Sequence, residues 1–211
     1  MATSPVDLTA ARDRPDDGSR VLARFGRDAE GAAAVEFGLI AMPFFALIGA
    51  IIQFAFVHIW VGQNLDFHLQ RAVRNLFTGS FQTSNSTVTN QTTLLNNLKT
   101  AMCQSNGKAM VTVFKCGDVK LNVAVASSFA SSSAASPVNA STKTWNNNFE
   151  GYTNPQPCQI VVVTAAVTVP NYFKLLNPGV ATMSDGSHFL MATSVFRTEP
   201  YQTPGTPTPL C

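Results

Sequence analysis

From Phe37 to Val61 the chain runs for 25 residues without an Asp, Glu, Lys or Arg. At about 1.5 Å per helical residue that run spans roughly 37 Å, against about 30 Å for the hydrocarbon core of a bilayer. It is long enough to cross with some tilt and too long for the apolar core of an ordinary secretory signal. Helical spacing then continues in a different register of polarity. Leu65, Leu69, Ala72, Val73 and Leu76 recur on one face, with Asp66, Gln70, Arg71, Arg74 and Asn75 between them. Gly79 is a natural terminator. The pattern predicts one long helix from about Ala32 to Phe77, apolar all round in its first half and amphipathic in its second. Pro43 lies inside it and is tolerated at the cost of a local kink. Gln53 and His58 are the strongly polar side chains inside the run. Gln53 is expected to face a partner helix, and His58 to reach the interface beside Trp60.

Beyond Gly79 the pattern shortens. Ser80 to Thr93 is rich in Ser, Thr, Asn and Gln and reads as a loop. Leu94, Leu95, Leu98, Ala101 and Met102 predict a short helix entering Cys103. Ser105-Asn-Gly107 predicts a turn. Met110–Phe114 and Val119–Val125 read as strands, the second with Val119, Leu121, Val123 and Val125 on one face. Ser127 to Pro157 is long for a loop and low in large apolar residues, so it reads as mobile or as a binding surface. Trp145, Phe149 and Tyr152 within it either anchor a partner or tuck onto their own domain. Ile160–Val169 holds five valines and one isoleucine in ten residues and is the strongest strand signal. Tyr172–Val180 reads as a turn or short helix, Phe189–Phe196 as the last strand, and the proline-rich tail after Glu199 as extended. The fold class is therefore α+β: a long N-terminal transmembrane helix, continued by an amphipathic helix packed on a small antiparallel sheet.

Charge and cysteine placement orient this plan. Residues 1–31 are polar, with five arginines and six acids, and read as a disordered leader. Arg20, Arg24 and Arg27 lie close to the apolar run, while Arg71 and Arg74 lie about ten residues beyond it, a slight bias for a cytoplasmic N-terminus. All four cysteines, Cys103, Cys116, Cys158 and Cys211, follow the apolar run, as in a chain whose C-terminal part meets an oxidising compartment. Four cysteines allow three pairings. Cys103–Cys116 with Cys158–Cys211 is favoured, because the first two flank one short turn, and the second pair is the weaker inference. The domain plan is a cytoplasmic leader at 1–31, a transmembrane helix at 32–61, its continuation at 62–79 and a disulfide-bonded periplasmic domain at 80–211.

Candidate chemistry is sparse. The net charge is +2 and no basic block suggests nucleic acid. His58, His68 and His188 are far apart in sequence, and no zinc, phosphate-loop or nucleophile-elbow spacing occurs. No enzymatic activity, cofactor or metal is expected.

One charge does call for an explanation. Glu36 stands at the edge of the apolar run, five positions after Gly31. A charge near lipid costs free energy and is a functional hypothesis by default. If the chain is cut between Gly31 and Ala32, the new α-amino group of Ala32 lies one helical turn from Glu36, or near Glu36 of a neighbouring subunit, and offsets that cost. The plainer alternative is an acid favoured by the dipole at a helix N-terminus. That alternative accounts for Glu36 but not for Gly31, the Ala32-Ala-Ala run and the long apolar helix together.

The run Gly31-Ala-Ala-Ala-Val-Glu36-Phe37 resembles the processing site of type IV pilin-like proteins, with a glycine before the cut and a glutamate at the fifth mature position. The wider run to Phe45 resembles the TadE/TadG-like minor pseudopilins of the tight-adherence (Flp) pilus system. Leu65–Gly79, with Arg71, Arg74 and a terminal Thr78-Gly79, resembles the group's post-membrane helix. Cys103 and Cys116, ahead of Val119–Val125, resemble its cysteine pair. Phe196-Arg-Thr-Glu-Pro-Tyr201 resembles its C-terminal motif, with Thr198 in place of the usual Asn. Gln53 stands where the group often has an acid, and this leader is longer and more mixed in charge than is usual.

The resemblance implies a non-enzymatic, single-pass protein of the bacterial inner membrane, with its C-terminal domain in the periplasm. It implies processing between Gly31 and Ala32 by a membrane-embedded prepilin peptidase. Its partners would be membrane lipid, other pilin-like subunits and the pilus assembly machinery. Glu36 would set axial register in a helix bundle. The competing expectations are an unprocessed envelope protein with a ligand- or partner-binding domain, and a secreted protein cut near Ala55 or later.

Overall fold

The structure, a computed structural model, describes residues 29–171, 183–202 and 211. The leader before residue 29, the expected turn or helix at 172–180 and the tail at 203–210 lie outside the described residues. The chain divides into two compact units, Met1–Ile48 and Gly49–Cys211.

Helix α1 runs from Ala29 to Ala55 with Pro43 inside it, and a π-helical turn follows at Phe56–Val61. Helix α2 takes Gly62–Phe77, so helical structure is unbroken to Phe77 as the periodicity predicts. Gly79 ends it in the left-handed conformation, φ +74°, with its amide donating to the Leu76 carbonyl. A residue there needs positive φ, which glycine adopts without steric cost.

The expected loop at Ser80–Thr93 is corrected. Helix α3 (Ser80–Ser84) starts directly after Gly79, and α4 (Gln91–Cys103) starts within the same stretch. Burial of Phe81 stabilises the first, and the Asn90 side chain caps the second by accepting from the Thr93 amide at 3.2 Å. Polar composition concealed α3 and the first turn of α4, whereas α4 from Leu94 onward, with Leu94, Leu95, Leu98 and Met102 buried, is the helix the sequence predicts.

The expected strand at Met110–Phe114 is also corrected. A two-residue hairpin, β1 (Gln104–Ser105) and β2 (Lys108–Ala109), takes the extended role, with Asn106 and Gly107 both at positive φ in its turn. Residues 110–115 form an irregular strap across α2. The Val113 amide donates to Asn64 Oδ1 at 3.1 Å, and the Cys103–Cys116 disulfide closes the strap's base.

The main sheet has the order β4-β3-β5-β6, built from β3 (Lys120–Ala126), β4 (Gly151–Tyr152), β5 (Ile160–Val169) and β6 (His188–Arg197). Pairs β3–β5 and β5–β6 are antiparallel, with Val123 opposite Val163 and Ala165 opposite Ala192. The short β4 joins parallel to β3, a departure from a purely antiparallel sheet. One face, with Leu121, Val123, Val161, Val163, Val167 and Leu190, shares a core with Leu65, Leu69 and Leu76 of α2 and Leu98 and Met102 of α4.

The other sheet face buries Val162, Thr164 and Ala166. The long segment 127–157 therefore is not simply a loose loop: Phe149 is fully buried, Tyr152 is buried, and Trp145 meets Phe189 edge-on at 6.3 Å. The Asn122 side chain donates to the Phe149 carbonyl, and Lys120 pairs with Glu150 at 2.8 Å. Phe149 and Trp145 tuck onto their own domain because β5 is apolar on both faces and the second face needs a cover, while Tyr152 joins the core on the helix side beside Phe81.

Candidate functional site

In the unit Met1–Ile48, the helix presents apolar side chains outward on every side. Phe37, Leu39, Ile40 and Met42 are each at least 70% exposed. The helical stretch Ala33–Phe77 is long and apolar enough to cross a membrane, and only 6% of its most apolar window is buried within the chain. A core helix of a soluble domain would be covered by its own protein. This one has to be covered by lipid or by other helices.

Gly31 and Ala32 both fall within α1, which begins at Ala29 rather than at Ala32. Glu36 lies just over one turn further on and is exposed. Among the described residues no ion pair involves Glu36. With the Gly31–Ala32 peptide bond intact, residue 32 has no free amine to pair with Glu36.

Within the unit Gly49–Cys211 the polar side chains of the apolar run turn inward. Gln53 does not wait for a partner helix: its Nε2 donates to Asn171 Oδ1 at 2.8 Å. The π-helical turn makes this contact possible. Twelve residues separate Gln53 from Leu65, which in an unbroken α-helix would place them about 120° apart. A π turn takes up roughly one extra residue and brings them to within about 20° of one face. Val57 and Val61 are buried on that face. His58 lies tilted against Phe54, with centroids 4.3 Å apart, and meets His188 edge-on, with ring centroids 6.1 Å apart. Two histidines that the sequence separates by 130 positions are thus neighbours, and no sequence signal pointed to this. Among the described residues no group of three or more His, Cys, Asp or Glu could hold a metal ion.

At the other end of α2, two short motifs become one latch. The ring of Tyr201 lies against Gly79, in the space a Cβ there would occupy, and its hydroxyl donates to the Pro155 carbonyl at 2.6 Å. The Glu199 amide donates to the Phe77 carbonyl at 2.9 Å. Thr198 is buried; its hydroxyl accepts from the Gln159 amide at 3.1 Å and donates to the Gln156 carbonyl at 2.8 Å. Arg197 Nε donates to the Cys158 carbonyl at 2.9 Å. The disulfide Cys158–Cys211 sits beside this latch, and Cys103–Cys116 ties the strap, so the two bonds join the pairs favoured from the sequence. Burial, with a smaller contribution from the nearby Tyr201, pushes the Tyr152 hydroxyl well above its ordinary pKa of 10.0. Burial raises Tyr201 as well.

A family model described as TadE-like protein matches residues 31–66. The match begins at Gly31, takes in Glu36, the apolar helix and the π turn, and ends at Asp66 in α2. No curated protein and no solved structure matches the chain. The chain carries a TadE-like segment along its apolar helix. The likeness at Phe196–Tyr201 lies beyond that segment and rests on its motif.

Proposed function

Starting from the TadE-like segment, we propose that this chain is a non-enzymatic minor pseudopilin that takes part in assembly of a tight-adherence pilus at the bacterial inner membrane. The observation that carries this reading is a family match that coincides with an all-round exposed apolar helix, with Glu36 at the edge of its apolar run. Residues 1–31 are the cytoplasmic leader, 32–61 the membrane segment, 62–79 its helical continuation and 80–211 the periplasmic domain. The two disulfides suit an oxidising compartment on that side.

Prepilin peptidase cuts between Gly31 and Ala32. The freed amine of Ala32 then answers the Glu36 carboxylate, within the chain or from a neighbouring subunit, and fixes axial register as the helix leaves lipid for a bundle of pilin-like helices. Glu36→Val removes the register charge while making the helix more apolar. It is expected to leave membrane insertion intact and to block incorporation into the assembly. Crosslinking in intact envelopes tests the reading: pilin-like subunits or pilus machinery are expected in the crosslinked product. A product with no such component overturns it.

A further inference from the structure

The apolar surface of the helix does not end where the outer domain begins. On the side of the π turn and α2 away from the sheet, Phe56, Ile59, Trp60 and Phe67 stay exposed, Trp60 at 62% and Phe67 at 64%. The strap carries this surface sideways. Val113 is held to Asn64, and Val111 at the strap's tip is 92% exposed.

The strap is built rather than slack. Phe114 is buried edge-on against the His68 ring, the Met110 amide donates to the Cys103 carbonyl at 2.8 Å, and Arg71 donates to Ser105 Oγ at 2.6 Å. A disulfide closes it. Val111 and Val113 add to the exposed apolar side of the helix at Trp60 and Phe67, and an extended apolar patch rimmed by charge marks a contact surface. Its exposed charges are Lys108 and Lys115, with Arg71 alongside, and there is no acid between Cys103 and Cys116. The acids nearest in sequence are Asp66 on α2 and Asp118 after the strap.

We propose that this face lies on the outer surface of the membrane, with Val111 and Val113 among the headgroups and Lys108 and Lys115 against anionic lipid. The inference rests on the membrane-spanning reading of the apolar helix. On the sheet side, water-facing protein begins at Gln53, which is hydrogen-bonded to Asn171. Away from the sheet, apolar exposure runs on to Trp60, about 10 Å further along the axis at ~1.5 Å per residue, and to Phe67 beyond it. Such an offset calls for a strongly tilted helix, toward the upper end of the range for membrane helices. That tilt turns the strap toward the bilayer and places Trp60 in the interfacial zone where tryptophan concentrates. Lysines at that level are drawn to anionic headgroups.

The test uses the full chain in lipid nanodiscs, comparing Val111→Trp with the unaltered protein. Discs contain zwitterionic lipid with or without anionic phosphatidylglycerol, and acyl chains with or without bromine as a quencher. The added emission at position 111 is expected to be quenched by brominated lipid when anionic lipid is present. Lys108→Glu with Lys115→Glu should shift the docked equilibrium by roughly fivefold per lysine. Added emission that ignores bromine overturns the proposal. So does a blue shift without quenching, which means a second copy covers the face. Co-elution with the discs is scored separately. A chain that enters discs while position 111 stays unquenched overturns the docking alone, whereas a chain that never enters overturns the spanning reading with it.

Discussion

The ring of Tyr201 occupies the space that a side chain on Gly79 would fill, although the two residues lie far apart in sequence. Gly79 serves two needs at once: a positive φ at the end of α2, and room for that ring. The Thr78-Gly79 helix end and the Phe196–Tyr201 stretch look like independent motifs in the sequence, but they are the two halves of one contact. Gly79→Ala should destabilise the fold by about 2–4 kcal/mol, from left-handed strain plus overlap with the ring. Adding Tyr201→Ala should cost less than the sum of the single changes, because the overlap is then gone. Thermal unfolding of the detergent-solubilised chain reads both, and strict additivity would refute the shared role.

The π turn predicts an effect of chain length rather than of chemistry. Gln53 and Asn171 should show a coupling of about 1 kcal/mol in a double-mutant cycle to leucine. Deleting the exposed Ile59 removes the residue that the π turn takes up, and an α-helix one residue shorter keeps Gln53 within about 20° of the same face. The coupling should then survive. A coupling lost on the deletion would show that the π turn does more than absorb one residue of register.

Tyr152 provides a pH signature. Its hydroxyl is buried with no hydrogen-bond partner among the described residues, and its pKa is raised by burial and then by Tyr201. Because the folded-state value lies above the unfolded one, the folded state binds this proton more tightly. The associated stability is therefore full below pH 10 and is lost as pH rises beyond it. Unfolding followed from pH 8 to 11 should show a decline that Tyr152→Phe reduces, with little cost to the variant at pH 8. An unchanged alkaline decline in the variant would assign the effect elsewhere.

The two disulfides should contribute unequally. Cys103–Cys116 closes a separation of 13 residues and Cys158–Cys211 one of 53. Loop-closure entropy gives about 3 kcal/mol for the first and about 4 for the second. Denaturant titration of the paired Cys→Ala variants measures each. Loss of the first pair should also free the strap, seen as faster amide exchange over residues 106–115.

Legibility followed the strength of local pattern. The long helix, β3, β5 and β6 were readable because their apolar positions repeat at the right period over many residues. Helix α3 and the start of α4 were not, since five residues around Phe81 carry no period and the cap at Asn90 looks like any polar position. The strap misled because Met110–Phe114 is β-rich in composition, while a disulfide and Asn64 decide its path. Of the candidate site, Gly31, Glu36 and the apolar run were visible in sequence. The inward turn of Gln53 was not, because it depends on an i→i+5 turn that no residue type announces. The contact of His58 with His188 belongs to tertiary packing alone.

If an amine created at Ala32 answers Glu36, the working protein has its N-terminus at residue 32. Mass spectrometry of the chain extracted from membranes of cells assembling the pilus should find a polypeptide that begins at Ala32. A chain that begins at Met1 or Ala2 in the assembled state would contradict the account.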